Sequence, residues 1–503
     1  MLFTSYAFIA FIAVAFFLYY RIPRKWQWPF LLIISIGFYA SAGIFYPIFL
    51  LVSSAVTYLA GLWIERNRKQ EKTYIRENAG QFASRQEKKE FKQKGEKRRR
   101  NLMVSALLIL LAVLGVFKYA DFVIDNMNAV FYAVGSDREL EYLDLLLPMG
   151  ISFYTFQSLG YLLDVYWEKI DAQKNFFKHL LFVSFFPQLV QGPISRYSDL
   201  SQTLYEEHVF DKKQVIFGLE RILWGYFKKL VVADTILTAT TAVIGDEYYN
   251  GAWVLVGIIF YGIELYADFT GGIDITIGIA QVFGVKVAEN FIRPYFSKNI
   301  AEYWRRWHIS LTTWFRDYVY IPLGGNRKGM PRMYVNMFII WTLTGIWHGA
   351  EWNFILWGMY YFVFQAIEKL FLGKWLAKIP RVFQHIYTMF VVTLGWVLFR
   401  CDSGLSQCVT WFKALFSGNV TSEGMSLLHM YAVQYGVYLV LGVILSMPIY
   451  RVLKAAVYKR IQKNRICKWA CAAAGYAVLL ALFYVSVLYL VNSTYNPFIY
   501  FRF

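Results

Sequence analysis

Cysteine and histidine are scarce in this 503-residue chain, with four and six copies respectively. The four cysteines, Cys401, Cys408, Cys467 and Cys471, form no Cys-x-x-Cys pair, which removes the common zinc and redox spacings. Cys467 and Cys471 stand four apart in one apolar helical pattern and read as small packing residues, whereas Cys401 and Cys408 could pair if they face an oxidising side. Also missing are a Gly-x-Ser-x-Gly elbow, a His-x-x-x-Asp box, a His-Glu-x-x-His helix and a phosphate loop. Those absences exclude the standard soluble hydrolase, acyltransferase, metalloprotease and nucleotide-hydrolysing routes. Charge is thin too, at 17% of residues.

What is there is apolar: 58% of residues are hydrophobic and 20% aromatic, and runs of membrane-spanning length recur from end to end. The chain is therefore expected to be an all-α polytopic membrane protein, one domain over 1–503 with roughly ten or more membrane segments. Leu2 to Tyr20 has no positive stretch before it and Arg21, Arg24 and Lys25 after it, so it reads as a retained helix and not a cleaved signal. The net charge of +18 is concentrated in loops between apolar runs, where the positive-inside rule accounts for it without nucleic acid. By that rule the basic loop 65–100 and Arg451 to Lys468 are cytoplasmic. Both termini are then extracytoplasmic.

Several runs are interrupted. Phe30 to Ile64 breaks around Ser41, Gly43 and Pro47 into a hairpin of two spans. Leu143 to Trp167 and Phe182 to Arg196 hold too many polar residues and prolines to face lipid, and are expected to be broken or re-entrant segments beside a protein-lined cavity. Glu264, Asp268 and Asp274 lie in the apolar run Trp253 to Phe283 and are expected to pair with Lys or Arg of neighbouring helices.

The chemistry concentrates between Asn290 and Tyr361, where His308 and His348 sit in tryptophan-rich sequence. Pro322, Gly324, Gly325, Gly329 and Pro331 separate them, so they belong to different elements. A helical reading of Ala301 to Asp317 puts Arg305 and His308 on one face. His348 ends the apolar run Met337 to Trp347, deep enough in the bilayer for a titratable ring to need a partner or a purpose. An imidazole there suits a general base acting on a hydroxyl that attacks a thioester. Arg305 and Arg306 could meet the phosphates of a donor, and Asn353 is a candidate oxyanion donor. His179, His208, His385 and His429 read as structural.

The words RRWHISLTTWFRDYVYIPLGGNR and GIWHGAEWNFILWG, with PMGISFYTFQSLGYLLDVYW, FVSFFPQLVQGPISR and YADFTGGIDITIG before them, resemble the membrane-bound O-acyltransferase family in its bacterial alginate O-acetyltransferase branch. Gly272 stands where that family usually has an aromatic residue. The resemblance implies a helical bundle with broken and re-entrant helices around a central funnel, His348 as the catalytic histidine and His308 as a supporting one. It implies acetyl-CoA from the cytoplasm as acyl donor, no metal, and an extracytoplasmic polysaccharide reached through a secreted or membrane-anchored acetyltransferase. D-alanyl transfer to teichoic acid is the related alternative, and polar broken helices would also fit a transporter or channel. The last residues, PFIYFRF, resemble the C-terminal Phe-Ile-Tyr motif of the small membrane partner in D-alanylation. That likeness implies that the aromatic motif 498–503 offers Tyr500 as an acyl carrier, against a reading in which it only anchors the chain at the interface.

Overall fold

The computed structural model describes residues 3–80, 82–244, 252–401, 404–417, 422–449, 465–492 and 497–498, and every regular element among them is helical. Tyr500 and the basic stretch 451–464 lie outside the described residues. The chain divides into two compact units, Ala10–Asp211 with Phe283–Ala288, and Leu2–Ile9 with Lys212–Val282 and Glu289–Phe503. Seven described helices are long and apolar enough to cross a membrane. Prolines and polar residues cut other apolar runs into short helices, which that count leaves out.

The helices up to Asp211 are α1 (Tyr6–Tyr19), α2 (Gln27–Ala40), α3 (Tyr46–Glu77), α4 (Arg85–Ala133), α5 (Ile151–Tyr166), α6 (Phe176–Ser184), α7 (Phe186–Leu189) and α8 (Tyr197–Leu204). The expected hairpin is α2 and α3, with the break at Ser41 to Phe45. The segment 65–100, expected as a loop, is helical at both ends. It extends α3 to Glu77 and starts α4 at Arg85, where Ser84 accepts from the Glu87 N–H (3.1 Å) and Glu87 accepts from the Ala83 N–H (2.7 Å). The arrangement is a variant of the capping box in which Glu87 reaches the N–H of the residue before the cap, and it lets a charged helix start in water. Nearly all of α5 is buried, as its polarity required. The chain between α6 and α7 breaks ahead of Pro187. His179 bonds Thr57 (2.9 Å) and His208 bonds Tyr19 (2.8 Å), structural roles for both.

The second unit continues with α9 (Lys212–Tyr226), a π-helical turn (Phe227–Ala233), α10 (Asp234–Ile244), α11 (Ala252–Val282), α12 (Ile300–Arg306) and α13 (Ile309–Phe315). Then come α14 (Met330–His348), α15 (Trp352–Ile367), a second π segment (Glu368–Leu372), α16 (Gly373–Leu376), α17 (Arg381–Arg400), α18 (Gly404–Phe416), α19 (Ser422–Ser446) and α20 (Arg465–Asn492). α9 and α11 touch backbone to backbone. A Cβ added at Gly218 would stand 2.9 Å from the Gly278 carbonyl oxygen, and one at Gly225 would stand 2.6 Å from that of Gly271. Only glycine permits so close a crossing, the small-residue packing by which membrane helices associate without a hydrophobic drive. The α11 carboxylates meet cations of the preceding elements. Asp274 pairs with Arg221 (2.9 Å) and Lys228 (2.6 Å), and Asp268 with Lys229 (2.6 Å). Glu264 departs from that pattern: it is buried with Thr240 as a hydrogen-bond partner, with Arg400 and Lys229 as nearby positive charges.

Candidate active site

His308 stands where the helix expected over Ala301 to Asp317 breaks. α12 ends at Arg306, α13 begins at Ile309, and His308 takes φ 47° and ψ 54° between them. Left-handed backbone is uncommon for a residue with a Cβ and persists where surrounding bonds enforce it. Those bonds are present. Asn299 accepts from the Glu302 N–H (2.7 Å) while Glu302 accepts from that of Lys298 (2.9 Å), and the Glu368 carboxylate accepts from Ile300 (2.7 Å) and Ala301 (3.1 Å). At the start of α13 the His308 ring takes no part in the cap. Asn290 does that work, its backbone oxygen accepting from Ile309 (3.0 Å) and its Oδ1 from Ser310 (3.0 Å). With the helix broken here, Arg305 and His308 share no continuous helical face.

His348 is the last residue of α14 and is 5% exposed. Its ring meets Trp357 (4.9 Å), Trp347 (5.0 Å) and Phe399 (5.3 Å) edge to face, while His308 meets Phe269 (5.1 Å) and the same Trp347 (5.8 Å). The two histidines thus converge on one indole. Their placement depends on how closely α14 and α15 approach. An added Cβ would lie 2.4 Å from the Phe354 oxygen at Gly345 and 2.2 Å from the Trp341 oxygen at Gly358. At Gly349 it would strike the Phe354 ring at 2.2 Å, which explains the glycine that follows His348.

A cavity of about 310 Å³ opens beside this cluster. Its apolar wall includes Trp304, Trp341, Leu311 and Phe315, and its polar lining includes Arg305, Arg316 and Lys369. Trp357 packs on Trp304 (5.4 Å) as well as on His348. Trp357 therefore touches both an indole of the cavity wall and the histidine ring. An apolar slot with cations among its lining suits a thioester whose far end is anionic.

The structure separates the two arginines expected to bind donor. Arg305 is exposed and lines the cavity. Arg306 pairs with Glu302 (2.5 Å), donates to the Phe296 carbonyl (3.1 Å), and is not among the residues lining this cavity. Asn353 is also spoken for: its amide donates to the carbonyls of Leu398 (3.3 Å) and Cys401 (2.9 Å), so its N–H groups fasten α15 to the end of α17 instead of facing an oxyanion. Cys401 and Cys408 form no disulfide, the Cys401 thiol donating to the Val397 carbonyl (3.1 Å), and His385 bonds the Ser297 carbonyl (2.8 Å). Sequence pattern alone does not mark Asn290 or Glu368, which act on backbone 20 and 68 residues away. Trp357 carries the one available signal, its place in GIWHGAEWNFILWG.

Residues 171–401 match the sequence model of MBOAT, the membrane-bound O-acyltransferase family. The chain is 36% identical over 414 residues to the "Probable alginate O-acetylase AlgI" of Pseudomonas putida, covering 78% of this chain and 82% of that protein. It is 32% identical to the "Peptidoglycan O-acetyltransferase" of Helicobacter pylori, over 65% of this chain and 66% of that one. Against the "Teichoic acid D-alanyltransferase" of Bacillus subtilis the identity is 28%, over 51% and 68% of the two chains.

Proposed function

The chain belongs to the membrane-bound O-acyltransferase family, and from that premise we propose that it moves an acetyl group from cytoplasmic acetyl-CoA across the membrane for O-acetylation of an extracytoplasmic polysaccharide. The observation that carries the reading is His348, buried at the end of α14 and linked through Trp357 to Trp304, in the wall of a cavity with cations in its lining. The donor thioester lies along the apolar wall, with Arg305 and Lys369 toward its phosphates. With the Trp304–Trp357 pair moved aside so that the acyl end reaches the ring, His348 takes the proton of an attacking hydroxyl as oxygen bonds to the thioester carbon. The tetrahedral adduct collapses, the carbon–sulfur bond breaks, and His348 returns the proton to the departing thiolate. His308, held in its left-handed turn, fixes the shared Trp347 from the other side.

The first acceptor in this reading is the phenol of Tyr500. A phenol has a pKa near 10, easier to deprotonate than a sugar hydroxyl and a better leaving group afterwards, so an aryl acetate can hand its acetyl on to a secreted or membrane-anchored transferase. Membership in an acyltransferase family sets the transporter reading aside. D-alanyl transfer remains as a second reading, supported by the Bacillus subtilis relative.

Purified protein supplied with acetyl-CoA and, separately, with a D-alanyl thioester tests both. Thiol release from acetyl-CoA is expected for the wild type and should fall about 10²- to 10⁴-fold in His348→Ala, the usual share of a general base. Wild-type release in that variant sinks the mechanism, and preference for the D-alanyl donor selects the second reading. Tyr500→Phe keeps the ring and loses the nucleophile. Polymer acetylation should then stop while acetyl-CoA still binds, and normal acetylation would reduce Tyr500 to an anchor.

A further inference from the structure

The π-helical turn Phe227–Ala233 carries Lys229, a lysine 1% exposed. Its ammonium reaches Asp268 (2.6 Å) and Asp234 (2.9 Å). An ammonium has three N–H donors, and burying one without a partner is costly. The third goes to the carbonyl oxygen of Pro497 (3.3 Å), from the far end of the chain. The ring of Phe498 sits over the same nitrogen at 4.7 Å and is itself 1% exposed. Phe3 closes the other side edge-on at 6.2 Å, and the Phe3 carbonyl is fixed by the Tyr226 hydroxyl (2.6 Å). A cation–π contact gains most where water is excluded, which is the case here.

We propose that Lys229 is a dock for the C-terminal segment, with Phe498 as the group it recognises, and that this seating positions the segment for acyl transfer; the positioning clause rests on the relay reading above, whereas the dock does not. Two features tie the dock to the reaction site. Asp268, which holds the ammonium, is followed on α11 by Phe269, whose ring faces His308. The tail residue lies only two positions before Tyr500, so seating Phe498 limits how far that phenol can roam. Phe498 is a positioning residue, acting through where it holds the chain.

Progressive fluorination of the Phe498 ring tests this, because it drains the negative face while nearly preserving size, and folding is spared. Full-length protein with phenylalanine, monofluoro-, difluoro- and trifluorophenylalanine at 498 is compared for melting temperature and for polymer acetylation. Both should fall stepwise, acetylation by about tenfold at the trifluoro member. A flat melting series overturns the dock. A graded melting series with unchanged acetylation overturns the positioning role. The same series in a Tyr500→Phe background separates the two ideas, since the melting gradient should survive there even if Tyr500 carries no acyl group.

Discussion

Asn290 shows how much one amide can decide. Its Oδ1 is the acceptor for the Ser310 N–H at the first turn of α13, the turn that His308 opens in a left-handed conformation. Asn290→Ala removes that acceptor from a half-buried donor, a loss of about 0.5–1.5 kcal/mol. We expect acyl transfer to fall roughly tenfold as His308 shifts against Trp347. Asn290→Asp keeps the acceptor and should recover most of the rate. Thiol release from acetyl-CoA by the purified variants checks it, and equal rates in Asn290→Ala and wild type would remove the residue from the site. At this scale the sequence singled out His308 and His348 because an imidazole in apolar sequence has few ordinary explanations, and the fold brings both rings onto Trp347. Asn290 and Glu368 were not, since each caps a helix distant in sequence. Asn353 reads differently for a related reason: in sequence an amide near a candidate base looks like an oxyanion donor, and only the fold shows its N–H groups already donated at the end of α17.

Among the elements, the α14–α15 pair decides whether the site exists. Gly345 and Gly358 let the two backbones meet, and that contact sets His348 against Trp357. A leucine at Gly358 would put its Cβ 2.2 Å from the Trp341 oxygen, so the helices must part. Gly358→Leu should cost about 1–3 kcal/mol, seen as a lower melting temperature, and should reduce turnover more than Arg306→Gln, which loosens only the contacts of α12 with Glu302 and Phe296. Undiminished melting temperature and turnover in Gly358→Leu would show that the contact yields without consequence. The breaks within runs were readable from proline and glycine: Ser41 to Pro47 does split α2 from α3, and Pro187 does open α7. The break at Trp307 and His308 carries no such punctuation. It comes from bonds made by Asn290, Asn299 and Glu368, so a continuous helix was the natural reading of its sequence.

For the whole molecule, apolar run length and positive charge were enough to read a helical membrane protein, but not to count its spans. Helix ends in this fold depend on partners that a run of hydrophobic residues does not reveal. We propose that the turn between α3 and α4 is cytoplasmic, as its surrounding Lys and Arg require. Gly80→Cys is the suitable probe, because a Cβ there meets open space and Ser84 must remain to cap α4. With the four native cysteines replaced by serine, an impermeant maleimide added outside intact cells should leave Cys at position 80 unlabelled until the membrane is opened. Labelling from outside would invert the map. The glycine crossings of α9 and α11 bear on motion. Two backbones pressed together have no layer of side chains to change rotamer or compress, so the pair can neither slide nor tilt without losing both crossings together. They form the anvil of this enzyme.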